Sequence, residues 1–195
     1  MNPQEEHPLK PFLPENGRLL MCGTFPPQKK RWSMDFYYPN YINDMWRIYG
    51  LIFFGDKDHF VDVSHKTFRL EELKKFLETT GIGLSDTGRK VTRLMGNAAD
   101  KHLMIEQPID LGSTLARMPL CRDVATTGEK AAGVIAAMTD TEIPPRGDFR
   151  ECVVPGTDGL IIRHWRMPSS SRAYPLPLPE KADFYRRMLL EIGLL

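Results

Sequence analysis

The chain has 195 residues, 42% of them hydrophobic and 26% charged, which suits a single domain with a substantial core and sets intrinsic disorder aside. Twenty-six Lys and Arg against 25 Asp and Glu leave a formal charge of +1, so the chain is no generally basic nucleic-acid binder, although a local basic groove is still open to it. Sixteen prolines exceed the average share and predict long ordered loops between elements, where function tends to lie.

Residues 1–17 carry Pro3, Pro8, Pro11 and Pro14 and read as an extended arm that wraps the body or frays, ahead of one α/β domain over 18–195. This start is polar and acidic, unlike a signal peptide, and no stretch reaches the ~20 apolar residues of a membrane span. Arg18–Gly23 is a short apolar run closed by glycine, which predicts a buried strand. Thr24–Tyr41 is rich in proline and aromatics without helical period, a loop long enough to be functional. Asn43 suits an N-cap and Asp44 a first turn, with Met45, Trp46, Ile48, Tyr49 and Ile52 as the apolar stripe of a helix. A second helix is predicted over 69–79, then a strand over Ile82–Asp86. Residues 123–128 read as strand and glycine turn into a helix over 129–138, residues 160–165 as a fourth strand, and 180–192 as a closing helix.

Strands alternating with helices predict an α/β fold, a three-layer sandwich around a short, mostly parallel four-stranded sheet. Ligands in such folds bind outside the carboxyl ends of the strands. Two of the predicted strands run into conspicuous loops there. One holds Lys29, Lys30 and Arg31 beside Tyr37 and Tyr38; the other, starting from Arg163, His164 and Arg166, holds Pro168, Ser169, Ser170, Ser171 and Arg172. Brought to one sheet edge, they predict a groove for an anionic backbone, with an aromatic face for a base. Cys22, Cys121 and Cys152 have no CxxC spacing and are expected as small buried hydrophobes in a reducing, cytoplasmic setting, without a cysteine-rich metal site.

These motifs resemble the uracil-DNA glycosylase superfamily over roughly residues 18–192. Gly23-Thr24-Phe25-Pro26-Pro27 is similar to its motif 1, a Gly-x-x-Pro turn. Tyr38–Trp46 resembles the aromatic and Asn-x-Phe-Trp segment of its mismatch-specific branch, and Met167–Ser171 its motif 2, a Pro-Ser loop that clamps DNA at the flipped nucleotide. The chain looks closest to the hypoxanthine-DNA glycosylase group.

The resemblance implies a monomeric, monofunctional glycosylase that removes a deaminated base, uracil or hypoxanthine, from DNA, without cofactor, metal or membrane. Tyr38 would stack on the flipped base, Thr24, Phe25 and Pro26 would form the pocket floor, and Thr127 would replace the Asn with which uracil readers contact the base. Lys29, Lys30, Arg31 and the 168–172 loop would hold DNA. The chain departs from the pattern at Phe25, where the best-known branch has a water-activating Asp and another has Asn. Asn40 and Asn43 are the candidates to orient the attacking water, with Asp35 as a further possible base, and Asn43 can cap its helix as well. His164, three residues ahead of a motif 2 histidine that is Met167 here, is expected to be structural; Asp86 and Asn97 receive no role. A nucleic-acid-binding member that has lost its chemistry is the alternative. A small-molecule hydrolase or nucleotide-binding protein lacks support, because GxGxxG, GxxxxGK[ST] and GxSxG are absent.

Overall fold

Leu19 and Met21 point to one side of their strand and Leu20 and Cys22 to the other, yet none has accessible surface. Such a run needs a cover on both faces, and the fold supplies it. The computed structural model describes residues 3–94 and 102–195. Its elements are β1 (Gln4–Glu6), β2 (Leu19–Gly23), α1 (Met45–Phe54), β3 (Val61–Asp62), β4 (Thr67–Phe68), α2 (Leu70–Thr80), β5 (Ile82–Asp86), β6 (Gly88–Arg93), β7 (Leu103–Pro108), α3 (Leu111–Ala116), β8 (Asp123–Thr127), α4 (Glu129–Met138), β9 (Asp148–Val153), β10 (Ile161–Met167) and α5 (Leu178–Glu191).

The central sheet has the order β5-β2-β8-β10-β9. The first four strands are mutually parallel and β9 lies antiparallel on the edge. On one face Leu19, Met21, Ile82, Leu84 and Ala125 pack with α1, α2 and α5 through Trp46, Leu73, Leu77, Tyr185 and Leu189. On the other, Leu20, Cys22, Val124 and Ile162 meet Leu111 and Leu115 of α3 and Ile135 of α4. The three-layer α/β architecture is as expected; the sheet, however, has five strands instead of four. β9, reading Asp-Phe-Arg-Glu-Cys-Val, is mostly exposed, so its charged residues conceal it from an apolar pattern.

A three-stranded antiparallel sheet, β1-β6-β7, adds a second unpredicted feature. Through it the proline-rich arm lies on the body: Gln4 pairs with Thr92, and Phe12 exchanges backbone hydrogen bonds with Leu84 at 2.9 and 2.7 Å. Helix boundaries shift slightly, α1 beginning at Met45 and α5 at Leu178, where Pro179 fits the first turn. Gly81 stops α2 in the left-handed region, with Asn16 O only 2.8 Å from where a Cβ would stand.

Cys22, Cys121 and Cys152 are all buried and unpaired by disulfide. Burial pushes the Cys121 thiol up to about 12 and raises those of Cys22 and Cys152. A thiol-reactive chromogenic disulfide at pH 8 is therefore expected to leave the native protein unmodified and to titrate three thiols once denaturant is added; fast reaction of any one in the native state would contradict the burial.

Candidate active site

Four parallel strands running the same way must end at the same edge. There Asp86, Gly23, Thr127 and Met167 close β5, β2, β8 and β10. A cavity of about 630 Å³ opens above them. Its walls come from Thr24, Phe25 and Pro26 after β2, from Arg31, Tyr38, Asn40 and Asn43 of the following loop, and from Ser169–Arg172 after β10. The two loops singled out in the sequence thus face each other across one space.

The floor is aromatic and hydroxylic. Tyr38 stands in the left-handed region at φ 49°. Its hydroxyl lies 3.4 Å from Thr127 Oγ1, and its ring meets Trp46 edge-on with centroids 5.8 Å apart. Burial, with the charge of Asp86 added, raises the phenol well above its ordinary range, so it remains a neutral donor. Asp86 is buried, with Oδ2 2.8 Å from His7 Nε2. Its other oxygen sits against Gly23, where a Cβ would come within 2.5 Å of Oδ1, so this approach admits glycine alone. Phe25 stands nearly perpendicular to the His7 ring, 5.2 Å between centroids, beneath the Arg93 guanidinium.

Asn40 and Asn43 both reach the cavity, and backbone engages the oxygen of each. Asn40 Oδ1 accepts from Ile42 N–H at 3.2 Å and Asn43 Oδ1 from Met45 N–H at 2.9 Å. Asn43 thereby bonds the first residue of α1, but the N-cap position expected for it falls to Asp44. With the oxygens held, the amide NH2 groups are the ends left to meet a ligand, as donors.

The Pro-Ser loop is held from inside. Tyr185 OH donates to Pro168 O at 2.8 Å, Asp44 N–H to Ser170 O at 2.9 Å, and Lys181 Nζ to Ser171 O at 2.7 Å. Asp44, expected in the first turn of this helix, is buried at its N-cap. Its Oδ1 accepts from Arg172 at 2.9 Å and its Oδ2 from the wholly buried Lys181 at 2.9 Å. Arg172 therefore lines the cavity with its charge shared with Asp44. Ser169 and Ser171 hydroxyls accept from the backbone N–H groups of Ser171 and Ala173, which stiffens the turn.

Other residues of the sequence reading stand elsewhere. Pro168 is buried behind its loop. Lys29 and Lys30 are exposed on a short turn outside the cavity lining, and Lys29 is paired with Asp35, which lies outside the lining as well. Arg163 and Arg166 pair with Asp123 and Glu129. His164 is fully buried within β10 and Asn97 lies outside the described residues. Among the described residues no three His, Cys, Asp or Glu side chains gather to hold a metal ion, and no helix is long and apolar enough to cross a membrane.

His7, Asp44 and Lys181 escaped the sequence reading because their partners lie 79 and 137 positions away in the chain. Asp86 alone had a signal, its place at the end of a predicted parallel strand.

No family model matches this sequence, and neither does any curated protein. Among solved structures, the chain is similar to a solution NMR structure of a Methanosarcina acetivorans protein provisionally named a uracil DNA glycosylase. The match has a TM-score of 0.57, 21% identity, and coverage of 92% of this chain and 95% of that one. The chain has a uracil-DNA-glycosylase-like fold. The cavity lies in that fold at the carboxyl edge of its parallel strands.

Two outcomes follow from the buried charges. Asp44→Ala strands Lys181 and is expected to cost about 3–5 kcal/mol in urea unfolding, with Lys181→Met milder because Arg172 still pairs with Asp44. His164 donates from Nε2 to Thr126 Oγ1 at 3.0 Å, since that hydroxyl itself donates to Trp165 O, and His164 Nδ1 is buried without a partner among the described residues. Burial holds the imidazole down at about 4. The unfolded chain then takes up a proton near pH 6.5 while the native one does so only near 4. Stability should fall as pH drops through that window, by about 3 kcal/mol in all. Unfolding free energies at pH 7 and pH 4 should show this loss in the wild type and less of it in His164→Gln.

Proposed function

We propose that the protein belongs to the uracil-DNA glycosylase superfamily and is a monofunctional DNA N-glycosylase for a deaminated base, uracil or hypoxanthine. The observation that carries this reading is the meeting of Tyr38, Thr127, Asp86 and two asparagine amides with the Pro-Ser loop around one cavity at the strand ends. A flipped base fits there with Tyr38 against its face. Asp86, an acceptor when ionised, takes the lactam N–H that uracil and hypoxanthine share; cytosine and adenine present an acceptor at that ring nitrogen. Arg31 and Arg172 at the cavity, with the 169–171 turn, meet the flanking phosphates.

In the proposed reaction the C1′–N bond breaks with its electron pair leaving on the base. A water oxygen bonds to C1′, and a proton passes to the departing base. With Phe25 unable to activate water, an amide N–H of Asn40 or Asn43 orients it by donating to its oxygen, which leaves the other lone pair for C1′, and the rate depends on stabilising the departing base and the cationic sugar. Affinity to the hypoxanthine-DNA branch, a monomeric state and a cytoplasmic setting belong to the same proposal.

Phe25 also favours a second reading, a DNA-binding member without catalysis. Duplex and single-stranded oligonucleotides carrying uracil, hypoxanthine or xanthine, followed by alkaline cleavage of abasic sites, separate the two. Cleavage of at least one substrate is expected, with Asn43→Ala or Asn40→Ala lowering the single-turnover rate about a hundredfold and DNA affinity much less. Tyr38→Ala should weaken binding of the damaged strand as well. Salt-sensitive binding with no cleavage at stoichiometric enzyme would establish the second reading.

A further inference from the structure

Residues 3–17 form more than the border of the small sheet. Glu5 lies opposite Val91 in antiparallel register, and His7 N–H donates to Arg89 O at 2.8 Å. Ion pairs of Glu5 with Arg93 at 2.8 Å and of Glu6 with Lys90 at 3.4 Å support the same alignment. Slipping the register by one residue would turn His7 to the opposite side. In the observed register its ring is wholly buried between Phe25 and Tyr37, with the Leu9 N–H 3.1 Å from Nδ1 and Asp86 Oδ2 2.8 Å from Nε2.

Asp86 lines the cavity and His7 stands behind it. Burying a carboxylate against an imidazole carries a desolvation cost that apolar side chains of the same volume avoid, so packing gives no reason for this contact. Its geometry does. His7 engages one carboxylate oxygen from the side away from the cavity, and Gly23, without a side chain, leaves room for the other at the floor.

We propose that the arm is an integral part of the cavity: His7 is a positioning residue that fixes Asp86 toward the ligand, so that docking of residues 3–12 and binding of a base at Asp86 reinforce each other. The proposal rests on the reading of the cavity as a base pocket. Linkage makes the effect reciprocal, because whatever the arm adds to base affinity the base adds to arm docking.

The test titrates free hypoxanthine and free uracil into the full chain, followed by 1H–15N NMR shifts, with thermal unfolding recorded for every variant. His7→Ala is expected to weaken base binding about tenfold. His7→Gln, whose amide can donate to Asp86, should restore most of it. In an Asp86→Ala background, His7→Ala should change base affinity no further. Saturating base should slow hydrogen exchange at the Phe12 amide. A His7→Ala chain with a lowered melting temperature but unchanged base affinity would overturn the proposal. So would failure of Gln to rescue, or a wild type that binds neither base. Excision from DNA is scored separately and decides the glycosylase reading alone: base binding that depends on His7 without excision keeps this inference and removes that one, and the converse result does the reverse.

Discussion

One carboxylate sets the spacing of the cavity walls. Asp44 ends the long loop after β2 and starts α1, its carbonyl accepting from Ile48 N–H at 2.8 Å. Its N–H reaches across to Ser170, and its two oxygens take Arg172 and Lys181. The aromatic loop is thereby tied at one buried point to the Pro-Ser turn and α5, whose paired residues lie 128 and 137 positions further along the chain. Desolvating these charges is costly, and the arrangement stands because each oxygen is met and Lys181 also donates to Ser171 O. Asn40 and Asn43 face the serine turn at the separation this knot imposes.

The parallel strands were legible because each is a short, doubly covered apolar run bounded by glycine or a polar turn, as in Leu19–Gly23 and Asp123–Gly128. The edge strand β9 and the β6–β7 hairpin were not, since sequences such as Gly-Arg-Lys-Val-Thr-Arg mix one buried side with charged positions. The site divides in the same manner. Tyr38, Asn40, Asn43 and the serines were readable because they crowd two local segments next to strand ends. The groups that hold them in place were unreadable. His7 resembles any polar residue of an arm, and Lys181 any solvated lysine of an amphipathic helix, until the fold brings each against an aspartate.

The near-neutral composition also acquires a spatial meaning. Much of the positive charge near the site is already answered, Lys29 by Asp35, Arg166 by Glu129 and Arg172 by Asp44, while Arg163 pairs with Asp123 at the opposite end of the strands. The polar lining of the cavity is thus hydroxyls, amides, one carboxylate, Arg31 and Arg172. Under the proposed function such a surface would discriminate through what enters the pocket more than through its hold on a backbone.

Tyr38 shows the cost of that emphasis. An L-residue at positive φ gives up about 1–2 kcal/mol that glycine would keep, and a bulky aromatic there is an outlier among folded proteins. The turn therefore works against the side chain it displays. Truncating the residue to glycine would relax the angle but forfeit the packing on Trp46, so this backbone conformation persists only while the aromatic ring occupies the floor of the cavity.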